Sequence, residues 1–115
     1  MRTKSFAFAT RIVRLFQFLQ SVKKEYVLAK QLLRCGTAVG SMVREAEHAE
    51  SKADFIHKMV IAQKEINEVP YWLELLTSTD YLTQEQFNSM STDAIEILKM
   101  LTSTIKTAKN NLIAC

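Results

Sequence analysis

The chain holds two glycines and one proline in 115 residues, and it has no long uninterrupted apolar run. So little turn punctuation excludes hairpin-rich β architectures, which need glycine, proline and asparagine at close intervals. Arg11, Arg14, Lys23 and Lys24 break every early apolar stretch before it could span a bilayer, so no transmembrane segment is expected. Two cysteines, Cys35 and Cys115, are too few for a disulfide scaffold, and a reducing cytoplasm is the expected compartment. Acid is scarce as well: Glu25 is the one carboxylate ahead of Glu45. Over those first 44 residues nine basic side chains face that single acid, a formal +8, whereas six basic and eleven acidic residues give the remainder −5. Such a split points to a polyanionic partner, either nucleic acid or an acidic surface.

Apolar periodicity is what the chain does have. Hydrophobic residues make up 48%, enough to fold one domain over residues 1–115 around a real core. Met1–Lys24 is basic, acid-free and amphipathic, as a transit peptide would be, but it is apolar enough to be an integral helix and is read as one. That first helix, about Lys4–Val22, carries Phe6, Phe8, Ala9, Ile12, Val13, Leu15, Phe16 and Leu19 over half its cylinder, predicting deep burial. Lys4, Arg11 and Arg14 share the opposite stripe, with Phe18 among them. A second helix, about Tyr26–Glu50, bears Ala29, Leu32, Leu33, Gly36, Val39, Gly40, Val43 and Ala46 at helical spacing. Gly36 and Gly40 bare two successive turns of that apolar face, so a neighbouring helix is expected to approach closely.

Ser51 with Asp54 starts a third helix, whose core positions are Phe55, Met59, Ala62, Ile66, Val69, Leu73 and Leu76, a heptad seam. Pro70 predicts a kink near Ile66–Pro70. Thr83 with Gln86 forms a T-x-x-Q capping box for the fourth helix, which carries Phe87, Met90, Ala94, Ile97, Leu101, Ile105, Ala108 and Leu112 inward. Short links between long helices force antiparallel neighbours. The expected fold is therefore all-α: an antiparallel up-down-up-down four-helix bundle.

Catalytic motifs are absent. Glu45–His48 and Asp54–His57 are acid-x-x-His pairs, but both flank one turn and the first helix offers no acid, so a two-metal carboxylate site cannot be assembled. No metal or other cofactor is expected. Cys35 sits off the main apolar stripe beside Lys30 and Arg34, where a lowered pKa is conceivable, with no histidine nearby in sequence to serve as base. A non-enzymatic protein is expected. The basic stripes are the better candidates: Lys30 and Arg34, followed by Thr37 and Ser41, on the second helix, and Lys4, Arg11 and Arg14 on the first. Lys23 and Lys24 lie between them. The predicted nucleic-acid contacts are Lys4, Arg11, Arg14, Lys23, Lys24, Lys30 and Arg34, with Phe18 as a stacking platform. The alternative is a protein–protein scaffold whose basic face meets an acidic partner or the acidic half of a neighbouring subunit.

Gln31–Ala46, QLLRCGTAVGSMVREA, and Ser51–Leu76, SKADFIHKMVIAQKEINEVPYWLELL, resemble the signatures of the four-helix bundle family encoded in intervening sequences of 23S ribosomal RNA genes. The resemblance runs from Phe6 to about Leu101. Where relatives often carry a small residue and then asparagine, this chain has Ser41 and Met42, which weakens any role carried over to that position. The family is similar in fold to the accessory protein of diversity-generating retroelements, a five-membered ring that binds nucleic acid and a reverse transcriptase. A ring-shaped homo-oligomer, with a homopentamer favoured, is what the resemblance implies.

Overall fold

Helix α1 spans Arg2–Ser21, α2 Val27–Glu47, α3 Lys52–Ser78 and α4 Gln84–Ala114. The computed structural model describes the backbone of residues 1–114 and the side chains of residues 1–111, so the expected core position Leu112 and the thiol of Cys115 lie outside the described side chains. The caps fall where the sequence puts them. Ser51 Oγ accepts the Asp54 N–H at 3.0 Å, and Asp54 in turn accepts from the Glu50 N–H at 3.1 Å. Thr83 and Gln86 exchange both bonds of the capping box, at 2.9 and 3.1 Å. Helix α3 ends with Asp80 in the left-handed region at φ 69°, the Tyr81 N–H returning to the Leu76 carbonyl at 2.9 Å. The α1–α2 turn closes in a similar way around Lys24, at φ 57°.

These caps limit the links to a few residues, so successive helices run antiparallel and pack on one another in chain order. Helix α4 returns to α1 through a much sparser seam. The result is a rod of 52 × 21 × 20 Å. Its radius of gyration, 15.2 Å, exceeds the roughly 13 Å of a rounder chain of this length. One core of Phe8, Ile12, Leu32, Val39, Ile66, Leu73, Ile97 and Leu101 runs along it.

The glycines explain why the seams differ. A Cβ on Gly36 would lie 2.7 Å from Ile12 Cγ1, and one on Gly40 would meet the Ser5 carbonyl oxygen at 3.4 Å. Helix α1 therefore leans into α2, which buries Ser5 to 1% exposure. This lean corrects the expectation of a deeply buried first helix. Only Ser5, Phe8, Ile12 and Leu19 are fully covered, Leu15 and Phe16 are partly so, and Phe6 and Val13 face outward at 57% and 38% exposure. Three smaller shifts belong here. Cys35, expected off the apolar stripe, is completely buried, because α3 covers α2 on that side as well. In α3 the inward residue at the first turn is Ile56, with Phe55 only partly buried. Helix α2 also stops at Glu47, earlier than the Glu50 expected. Helix α3 is continuous through Pro70.

Candidate nucleic-acid interface

The eight side chains expected to meet a polyanion separate into two groups once folded. Arg11 reaches across the α1–α4 seam, its guanidinium 2.5 Å from Asp93 Oδ2 and 2.7 Å from Ser89 Oγ. About two turns nearer the N-terminus, Lys4 pairs with Glu96 across the same seam. Arg34 crosses from α2 to α3, 3.5 Å from Glu68, and is steadied by Gln31 at 3.0 Å. These three cations are already neutralised by carboxylates of the chain itself. Such part-exposed pairs are each worth about 0.2–1 kcal/mol, and they brace the helix seams.

Arg14, Lys23, Lys24 and Lys30 form the second group. All four are exposed and make no ion pair among the described residues. They belong to the end of the rod where α1 turns into α2. Phe18 joins them but is half-buried against the core, and the Lys23 ammonium lies 6.0 Å from its ring centre. Arg14 and Phe18 line a groove of about 610 Å³ between α1 and α4, opposite Glu85, Ser89 and Met90. That groove is open because α1 leans toward α2.

Glu25, the lone acid of this region, does not balance its neighbours outwardly. Its Oε1 accepts the Leu28 N–H at 3.1 Å and its Oε2 the Ala29 N–H at 2.8 Å, so the carboxylate caps the start of α2. An anion there is favoured by the free amides and dipole of a helix N-terminus. The turn thus presents cations to solvent and keeps its carboxylate on its own backbone. Sequence reasoning missed this arrangement, because the usual capping residues are Ser, Thr, Asp or Asn at the N-cap itself, where this chain has Tyr26. It missed Tyr26 too, which is 49% exposed at the N-cap of α2.

The fold has a counterpart among known proteins. Residues 1–103 match the family described as 23S rRNA-intervening sequence protein. The chain belongs to that family. A similar solved structure is the crystal structure of a protein of unknown function from the S23 ribosomal protein family of Bacteroides thetaiotaomicron. It is 54% identical, superposes with a TM-score of 0.90, and the match covers 91% of this chain and 94% of that one. No curated protein matches the chain. The description of the 23S rRNA-intervening sequence proteins names a genetic setting and no reaction.

The other candidates of this family member take structural roles. Glu45 pairs with Lys58 at 3.4 Å and Asp54 is a cap, so the carboxylates of both acid-x-x-His pairs are engaged, while His48 and His57 are exposed. The Cys35 thiol is pushed up to about 12 by burial, with the negative fields of Glu68 and Glu65 adding to it. That reverses the lowered pKa considered from its basic neighbours. Glu68 is itself held by Trp72 Nε1 at 3.0 Å. Among the described residues no helix is long and apolar enough to cross a membrane.

Proposed function

We propose that this protein is a non-enzymatic, oligomeric, cytoplasmic helical bundle that binds nucleic acid through the cationic end formed by the α1–α2 turn. One observation carries the reading. Four exposed cations, Arg14, Lys23, Lys24 and Lys30, lack carboxylate partners among the described residues, while the only nearby acid of their own segment, Glu25, is turned onto backbone amides. Unpaired cations release condensed counterions from phosphates, whereas cations held in intramolecular pairs must first give up a partner. Lys4, Arg11 and Arg34 therefore contribute less than the sequence alone suggests. Phe18 supports the surface from below as an apolar floor with Lys23 above it.

Fluorescence anisotropy or mobility shift with RNA and DNA probes tests this. Arg14, Lys23, Lys24 and Lys30 changed together to glutamine should weaken binding strongly while helicity persists. Unchanged affinity for every probe refutes the reading.

A second reading, a protein–protein scaffold, is favoured by the outward stripe of α1. Phe6 and Val13 are exposed with the smaller Ala9 between them, and the Arg44 guanidinium lies 5.1 Å from the Phe6 ring centre. A second copy covering this stripe also accounts for assembly, which the opposite formal charges of the two halves of the chain favour. Light-scattering mass of the wild type and of Val13→Glu tests it, and a monomeric wild type sinks it.

A further inference from the structure

We infer that the α1–α2 turn takes unpaired nucleotides, with the Tyr26 ring as the surface on which a base stacks; this deepens the nucleic-acid reading above and rests on it. The side chain expected to stack, Phe18, is poorly placed for that work. It packs against the core, and Lys23 occupies its outer face. Tyr26 differs on each count. The residue is 49% exposed, its hydroxyl makes no hydrogen bond among the described residues, and Val22 and Val27 beside it are 62% and 71% exposed. The fold thus leaves an apolar, aromatic surface open at the tip of the rod.

The surroundings of that surface suit a nucleic-acid strand. Lys23 and Lys24 precede Tyr26 and Lys30 follows it by one helical turn, all exposed and without carboxylate partners among the described residues. Lys24 holds the left-handed position of the turn, at φ 57°, a place that ordinarily goes to glycine or asparagine. Glu25 is folded inward. Besides Glu25, the acids at this end of the bundle are Glu74 on α3, Asp80 and Glu85, all on the α3–α4 side, so the α1–α2 side is the one that favours a phosphate chain. A ring flanked by cations is how proteins hold single strands: phosphates meet the cations, and an unstacked base lies on the aromatic face. Paired bases are stacked on each other and cannot reach Tyr26. An anionic lipid surface is the less suitable ligand, because the apolar residues sit on a short turn and not along the face of a helix lying in the interface.

The test uses a short labelled oligoribonucleotide, free or annealed to its complement, and vesicles containing phosphatidylserine. The proteins are the wild type, Tyr26→Leu, Tyr26→Phe and the triple variant Lys23→Gln/Lys24→Gln/Lys30→Gln, each checked for unchanged helicity. The wild type should bind the single strand more tightly than the duplex. Tyr26→Leu should weaken single-strand binding by about 5- to 150-fold, the loss of one stacked base, and leave duplex binding unchanged. Tyr26→Phe should retain wild-type affinity. If Tyr26→Leu binds the single strand as the wild type does while the triple variant weakens both probes, stacking is overturned and the nucleic-acid reading stands. A wild-type preference for duplex overturns the inference likewise. If neither probe binds, both readings fall, and vesicle capture would then assign the turn to anionic lipid.

Discussion

Replacing Gly36 by alanine puts a methyl group where α1 already lies. The new carbon would sit 2.7 Å from Ile12 Cγ1 and 2.8 Å from both Cδ1 and Cγ2, whereas carbon pairs are comfortable at about 3.5–4.0 Å. Ile12 has no exposed surface and is β-branched, so its χ1 cannot swing aside cheaply. Overpacking of this kind costs about 1–3 kcal/mol, and three simultaneous contacts place it at the upper end. Against that stands a helix-propensity gain of about 1 kcal/mol for replacing glycine, leaving a net loss of about 1–2 kcal/mol. At Gly40 the balance reverses. There the nearest atom is the Ser5 carbonyl oxygen at 3.4 Å, near ordinary contact, so the propensity gain of about 0.5–1 kcal/mol prevails. At about 4 °C per kcal/mol for a domain of this size, Gly36→Ala should melt about 8 °C below Gly40→Ala, followed by far-ultraviolet circular dichroism. Ile12→Val, which removes Cδ1, should cost less in the Gly36→Ala background than in the wild type. A Gly36→Ala protein as stable as Gly40→Ala, or strict additivity with Ile12→Val, would show that α1 is not clasped on this notch.

Cys35 should resist alkylation in the native state, because its thiol is buried and pushed up to about 12, and label only as the protein unfolds; Cys115→Ser provides the background on which iodoacetamide reads Cys35 alone. The folded thiol titrates above the ordinary value of 9.0, so its contribution to stability is complete below that pH and is lost as pH rises toward 12. Denaturant midpoints of the wild type should accordingly fall with alkalinity relative to Cys35→Ala. Removing either side of the α4 capping box, Thr83→Ala or Gln86→Ala, should cost about 1 kcal/mol in chemical denaturation, and the double variant should lose less than the sum because the two bonds are reciprocal.

The helices could be read from the sequence because three independent signals agreed there: apolar spacing, caps and the scarcity of breakers. The glycine pair even foretold that a neighbouring helix would approach α2 closely there. Burial on α1 could not be read so well. Phe6 and Val13 lie beside Phe8 and Ile12 on one broad apolar arc, and only the lean imposed by Gly36 decides which part of that arc is covered. Cys35 was misplaced although it stands three residues after Leu32 and four before Val39, a core interval. Its charged neighbours Arg34 and Lys30 drew attention to the wrong face. At the candidate site, residue type showed that the first half of the chain is cationic. It could not show which cations the second half neutralises, since Arg11–Asp93 and Lys4–Glu96 join residues far apart in the chain. Nor could it show Glu25 turning inward, which leaves the turn without an outward carboxylate.

The division between paired and unpaired cations is tested most directly by the salt dependence of binding to a single-stranded oligoribonucleotide. Each phosphate contact contributes about −0.7 to the slope of log K against log salt on single strands. Changing Arg14, Lys23, Lys24 and Lys30 together to glutamine should therefore flatten the slope by about 2–3. Changing Lys4, Arg11 and Arg34 together should flatten it by less than about 1. Equal flattening by the two variants, or a larger effect of the second, would contradict the account.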